Sequence, residues 1–213
     1  MSRFQIQLEK KLGWLAVPHI AILFVTLQGL GYLMVASDPI WIARLALLPE
    51  AVLAGEYWRL ITFLALPLSN SPIWVIFALW FLYFVINTIE NEWGAFKTTS
   101  YVLVSILVTI AYSFGVGYPV LEVKDFESSM FLAAAALFPE MEVSLFFAIP
   151  VKIKWLAWLS MAGIAWRAYG ASWPERGLMV AIYSNYLLFF GPAMLASLRQ
   201  RIRREQFRRK MKR

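Results

Sequence analysis

The stretch IWVIFALWFLYFVINTI, residues 73–89, runs for seventeen positions without a charged side chain, and it decides which solvent this chain folds in. A bilayer core about 30 Å thick requires roughly 20 predominantly apolar residues in a helix. Pro72 in front of the stretch and Glu90 behind it mark its ends. Working outward, similar runs occupy about 16–36 and 98–117, and shorter ones about 128–138, 153–169 and 178–198. The composition agrees: 61% of the 213 residues are hydrophobic and the mean hydropathy is +0.63. Soluble domains run at about 45–50% apolar, so a membrane protein is expected. Ten Trp and nine Tyr suit repeated crossings of the lipid–water interface.

The expected class is therefore all-α, a polytopic membrane protein with six transmembrane helices over residues 16–198. Residues 1–15 form a cytoplasmic interfacial segment, with Phe4, Leu8 and Leu12 at helical spacing. No small-residue cleavage site follows Lys10 and Lys11, so the first apolar run reads as a retained span. The connection from Ser37 to Pro72 is too apolar for a solvated loop and is broken by Pro39, Pro49 and Pro67. Short helices lying in the interface are the natural reading, because irregular backbone at depth must be buried in protein.

Residues 199–213 form a basic cytoplasmic tail that holds nine of the 20 Lys/Arg residues. With both termini on one face, that face adds Arg3, Lys10, Lys11, Lys97, Lys152 and Lys154 to the tail. The opposite face has Arg44, Arg59, Lys124, Arg167 and Arg176. The positive-inside rule then puts both termini in the cytoplasm. The tail reads as a partner for anionic headgroups, at roughly 1 kcal/mol per basic residue near the surface. Phe207 is its only aromatic, and no nucleic acid is expected. Cysteine is absent, which removes disulfides and thiolate chemistry.

Three pieces taken in order carry a resemblance: GEYWRLITFLALP (55–67), IENEWGAFK (89–97) and LFPEMEVSLFFAIPVKIKWLAW (137–158). Together they resemble the rhomboid superfamily of intramembrane proteins over about Gly55 to Gly191, with Trp58–Arg59 similar to the Trp-Arg pair of the first rhomboid loop. The derlin branch, which is not proteolytic, keeps that pair as well. Each piece also has a plain physical reading. Trp58 and Arg59 could anchor the chain at the headgroups, with the guanidinium snorkelling. Gly94 suits a left-handed helix cap, and Lys152 and Lys154 mark a cytoplasmic face. The resemblance implies a six-helix rhomboid-like bundle with an interfacial first loop, in a bacterial inner membrane.

An active rhomboid is a serine peptidase: a Ser within Gly-x-Ser-Gly opens the fourth helix, and a His on the sixth activates it. A His and an Asn on the second helix complete the oxyanion hole. A hydroxyl needs a base to take its proton, and the intermediate needs donors aimed at its oxygen. Here the nucleophile region reads VKDFESSMFL, with Lys124, Ser128 and Ser129 and no glycine. The base region reads AIYSNYLLFFG, with Ser184 or Asn185 near the place of the histidine. The second-helix region PLSNSPIWVIFAL has no His, and its Asn70 precedes the span. The sole histidine, His19, lies at the far end of the first span. A Ser–Lys pair of Ser128 and Lys124 would need a neutral amine, yet Glu122, Asp125 and Glu127 surround it.

The resemblance without the machinery implies no enzyme, no cofactor and no metal site, since His-Glu-x-x-His is absent and carboxylates are scattered. Ser128 and Ser129 then read as caps for free backbone N–H groups at a helix start. Ion-coupled transport is disfavoured, because the cores of spans two to six carry no ionisable residue apart from Arg167 at the end of the fifth. In rhomboids the second and fifth helices flank a lateral opening for a substrate helix. By that resemblance Trp74, Trp80, Phe81, Trp155 and Trp158 form a lateral gate here, although rings facing lipid would look the same. The expected function is binding or remodelling of transmembrane client proteins, aided by local thinning of the bilayer around short spans. The alternatives are a rhomboid-type serine peptidase with a rearranged site and a passive or structural membrane protein.

Overall fold

The computed structural model describes residues 11–145 and 149–191, so the expectations for residues 1–10 and for the basic tail lie outside the described residues. The chain is mostly helical: α1 (Ile20–Ser37), α2 (Ile40–Leu45), α3 (Pro49–Leu53), α4 (Arg59–Thr62), α5 (Pro72–Trp93), α6 (Ala95–Val116), α7 (Lys124–Leu137), α8 (Ile153–Gly170) and α9 (173–191). Among the described residues, three segments are long and apolar enough to cross a membrane: Gly13–Ser37, Pro72–Trp93 and Ala95–Val116.

The boundaries follow local chemistry. Pro72 sits in the first turn of α5, where its missing N–H costs nothing. Between α5 and α6 the chain turns at Gly94, φ +80°, and α6 ends at Gly117, φ +68°; both values favour glycine. Helix α1 begins beyond His19, a non-glycine residue at φ +56° whose backbone N–H donates to Glu90 Oε1 at 2.7 Å. That bond pins the start of α1 to the end of α5.

The 37–72 connection folds into the short helices α2, α3 and α4 and a 3₁₀ turn, Phe63–Ala65, as its prolines suggest. It is a packed layer. Phe63, Leu64, Ala65 and Leu66 are all buried, and α1 lies on the turn so closely that a Cβ on Gly31 would stand 1.8 Å from the Ala65 carbonyl oxygen. Leu47 exchanges both backbone hydrogen bonds with Val120, at 3.1 and 2.9 Å, which fastens this layer to the chain leading into α7.

Two local features depart from expectation. A two-stranded antiparallel hairpin, β1 (Glu142–Leu145) and β2 (Ile149–Lys152), joins α7 to α8, with Val143 opposite Val151. Val143 is buried with Leu132, Ala135, Ile153 and Ala157, so the hairpin seals the space beneath the two helices it joins. Helix α7 starts at Lys124, four residues before the span expected at 128–138, and therefore includes Asp125 and Glu127.

Candidate functional site: a lateral cleft with a charged mouth

Helices α5, α7 and α8 enclose a cleft of about 620 Å³. From α5 come Trp74, Phe77, Ala78, Phe81, Leu82 and Val85, a single face at helical spacing. From α8 come Ser160, Gly163, Ile164 and Arg167, and from α7 Lys124, Glu127, Ser128 and Phe131. The polar lining gathers where α7 begins and α8 ends, with Ser69 just ahead of α5; the interior is aromatic and aliphatic. Helix α8 is lightly held, with only Ile153 and Ala157 fully buried along its length.

The charged mouth is a set of engaged groups. Arg167 forms an ion pair with Asp125, which also accepts from the Tyr183 hydroxyl of α9 at 3.1 Å. Ser128 lies against the same tyrosine hydroxyl. Lys124 Nζ meets Glu122 at 2.6 Å and remains half-exposed. Glu127 is 8% exposed and accepts a hydrogen bond from Gln28 Nε2 of α1, itself 2% exposed. Glu127 lies one residue ahead of the span expected at 128–138, and the structure buries it in the first turn of α7. Its partner is 99 positions away, and Gln28 in the middle of an apolar run was the available signal.

Of the residues that the resemblance set near catalytic places, Ser129, Ser184 and Asn185 are engaged in internal hydrogen bonds. Ser129 is fully buried and its hydroxyl donates to the Phe126 carbonyl at 2.7 Å. Its backbone carbonyl accepts from the Tyr101 hydroxyl at 3.1 Å. Asn185 turns towards α6, where its amide donates to the Tyr101 carbonyl at 3.0 Å and to Ser105 Oγ at 2.6 Å. Ser184 is exposed and bonds back to Ala181 within its own helix. The capping role expected of Ser128 and Ser129 is not realised: Val123 is the N-cap of α7, and no side chain caps it. Asp125 supplies negative charge to that first turn instead.

No protein-family model, curated protein or solved structure matches the chain.

Of the gate residues, Trp74 and Phe81 line the cleft. Phe81 packs on Phe131 of α7 with ring centroids 5.5 Å apart. Trp80, Trp155 and Trp158 lie outside its lining and are 43%, 62% and 66% exposed. On α8 the cleft wall is made by Ser160, Gly163, Ile164 and Arg167, none of them aromatic. Trp58 is 55% exposed, as an interface anchor would be. Its neighbour Arg59 is 6% exposed and does not snorkel. It donates to Glu56 and, through Nη1, to the carbonyls of Ala43 at 2.5 Å and Ala46 at 2.9 Å. Those carbonyls close the end of α2, so Arg59 holds the first loop together from inside. Among the described residues no group of three or more His, Asp or Glu side chains could hold a metal ion.

Proposed function

We propose that this chain is a catalytically inactive, rhomboid-like membrane protein that receives transmembrane client segments at the cleft between α5 and α8. One contrast carries the reading: the hydroxyl of Ser129 and the amide of Asn185 are consumed by internal hydrogen bonds, while the cleft between α5, α7 and α8 stands open. A nucleophile without a base and without free oxyanion donors gains little reactivity. The proposed frame is six spans with both termini in the cytoplasm of a bacterial inner membrane, the basic tail resting on anionic lipid. The fourteen residues of α7 extend about 21 Å, less than a bilayer core of about 30 Å, which favours local thinning.

The test is site-directed photocrosslinking in cell membranes from Ala78 and Gly163, compared with Leu159 outside the cleft. Adducts to single-span proteins from the two cleft positions, absent from Leu159, support client capture. Equal or no adducts from all three leave a passive membrane protein. A peptidase reading draws on one observation, that Ser128 lines the cleft and touches Tyr183. Fluorophosphonate labelling lost in Ser128→Ala, or cleavage of a rhomboid substrate lost in the same variant, would establish it and overturn the inactive reading.

A further inference from the structure

We infer that the cleft between α5 and α8 is a binding site for one acyl chain of an anionic phospholipid, whose headgroup is held at Arg167 and Lys124. The proposal stands apart from client capture and fails or succeeds independently of it. Size comes first. The cleft holds about 620 Å³, within the roughly 300–1,000 Å³ of small-molecule pockets. The space therefore admits a hydrocarbon chain.

Polarity sets the orientation. The interior is walled by Trp74, Phe77, Phe81, Leu82, Phe131 and Ile164, and the charged lining gathers at the mouth. An apolar slot with charge at one end matches an amphiphile. A donor left without a partner selects its sign. Two cations, Lys124 and Arg167, line the cleft against one carboxylate, Glu127, and that carboxylate accepts from Gln28. Asp125 and Glu122 lie outside the lining and each occupies one cation. Arg167 nevertheless retains a buried Nε–H with no acceptor among the described residues. A guanidinium has five donors in a fixed fork, and a buried donor without a partner is rare enough to call for one. A phosphate has several oxygens that can satisfy it while Asp125 keeps its own bond.

The chain has no cysteine, so a single introduced thiol is unique. A Cβ at Gly163 meets nothing within 4 Å, so Gly163→Cys can carry a fluorophore inside the cleft. The full chain is placed in phosphatidylcholine vesicles containing rising fractions of spin-labelled-chain phosphatidylglycerol or spin-labelled-chain phosphatidylcholine. The expected result is saturable quenching at Gly163→Cys, half-complete at a roughly tenfold lower fraction of phosphatidylglycerol. At Leu159→Cys, 71% exposed, the two lipids should quench alike and without saturation. Arg167→Gln should abolish the headgroup preference, and Ala78→Trp should remove the saturable component by narrowing the slot. If Arg167→Gln does not fold, Lys124→Gln on the exposed mouth reads the same preference. Equal quenching curves for the two lipids at Gly163→Cys would overturn the proposal. So would a preference that survives the charge-removing substitution in folded protein.

Discussion

Truncating Arg59 would leave the carbonyls of Ala43 and Ala46 without their donor and Glu56 without its partner. Hydrogen bonds to a charged group contribute about 1.5–3 kcal/mol, and leaving partners unpaired adds to the loss. Arg59→Ala should therefore lower stability by about 3 kcal/mol in a detergent-unfolding titration. Arg59→Lys should recover only part of it, since an ammonium lacks the fork that reaches both carbonyls. The glycines of α1 make a sharper pair. Gly31→Ala drives a Cβ into the Ala65 carbonyl and should cost about 1–3 kcal/mol or more through overpacking. At Gly29 the nearest atom to an added Cβ is Leu79 Cδ1 at 3.8 Å, an ordinary contact. Gly29→Ala should be neutral or stabilise by up to about 1 kcal/mol through helix propensity. The same unfolding titration ranks the two. From the sequence both are glycines two positions apart in one apolar run; the distinction lies in the 3₁₀ turn that only tertiary structure brings to Gly31.

Individual elements differ in how far their sequence foretold them. The long apolar helices were legible because length and hydropathy are local properties, and the prolines of the first loop announced its short helices. The hairpin before α8 and the early start of α7 were not. Each is stabilised from a distance, Val143 by α7 and α8 and Glu127 by Gln28 of α1. The hairpin end of α8 is tied by Glu140, which accepts from Lys152 at 2.8 Å and Lys154 at 2.5 Å. These two ammonium groups hold the Glu140 carboxyl down at about 2, below its ordinary 4.5. A depressed carboxyl lends stability that is fully present above pH 4.5 and is lost as pH falls towards about 2. The tie should thus persist through mild acid. A carboxyl-carbon NMR titration should place Glu140 at about 2, and Lys152→Gln with Lys154→Gln should return it towards 4.5. At the other end of α8 the restraint is the pair of Arg167 with Asp125. Asp125→Asn weakens it and leaves few buried contacts on α8, so hydrogen exchange over 160–170 should rise while that of α6 stays unchanged.

For the molecule as a whole, what was readable and what was not divide along one line. Membrane class follows from the length and hydropathy of the apolar runs, whereas an opening between α5 and α8 was only what the resemblance implied. Which residues are free and which are engaged does not follow, because engagement depends on the partners' positions. Ser129 reads from the sequence as a helix cap and Asn185 as a residue near the place of a missing base; both instead fasten buried helices to one another around Tyr101. Asn185→Ala should therefore destabilise the protein by about 1–3 kcal/mol in the unfolding titration, as expected when Ser105 and Tyr101 lose a buried partner.

The two-bond bridge between Leu47 and Val120 has a mechanical meaning. It ties the 37–72 connection to the approach to α7, with Leu47 wholly buried at the joint. Lys124 and Glu127 begin only a few residues beyond it. A displacement of that connection would therefore be passed to the start of α7 and to the side chains it places along the cleft.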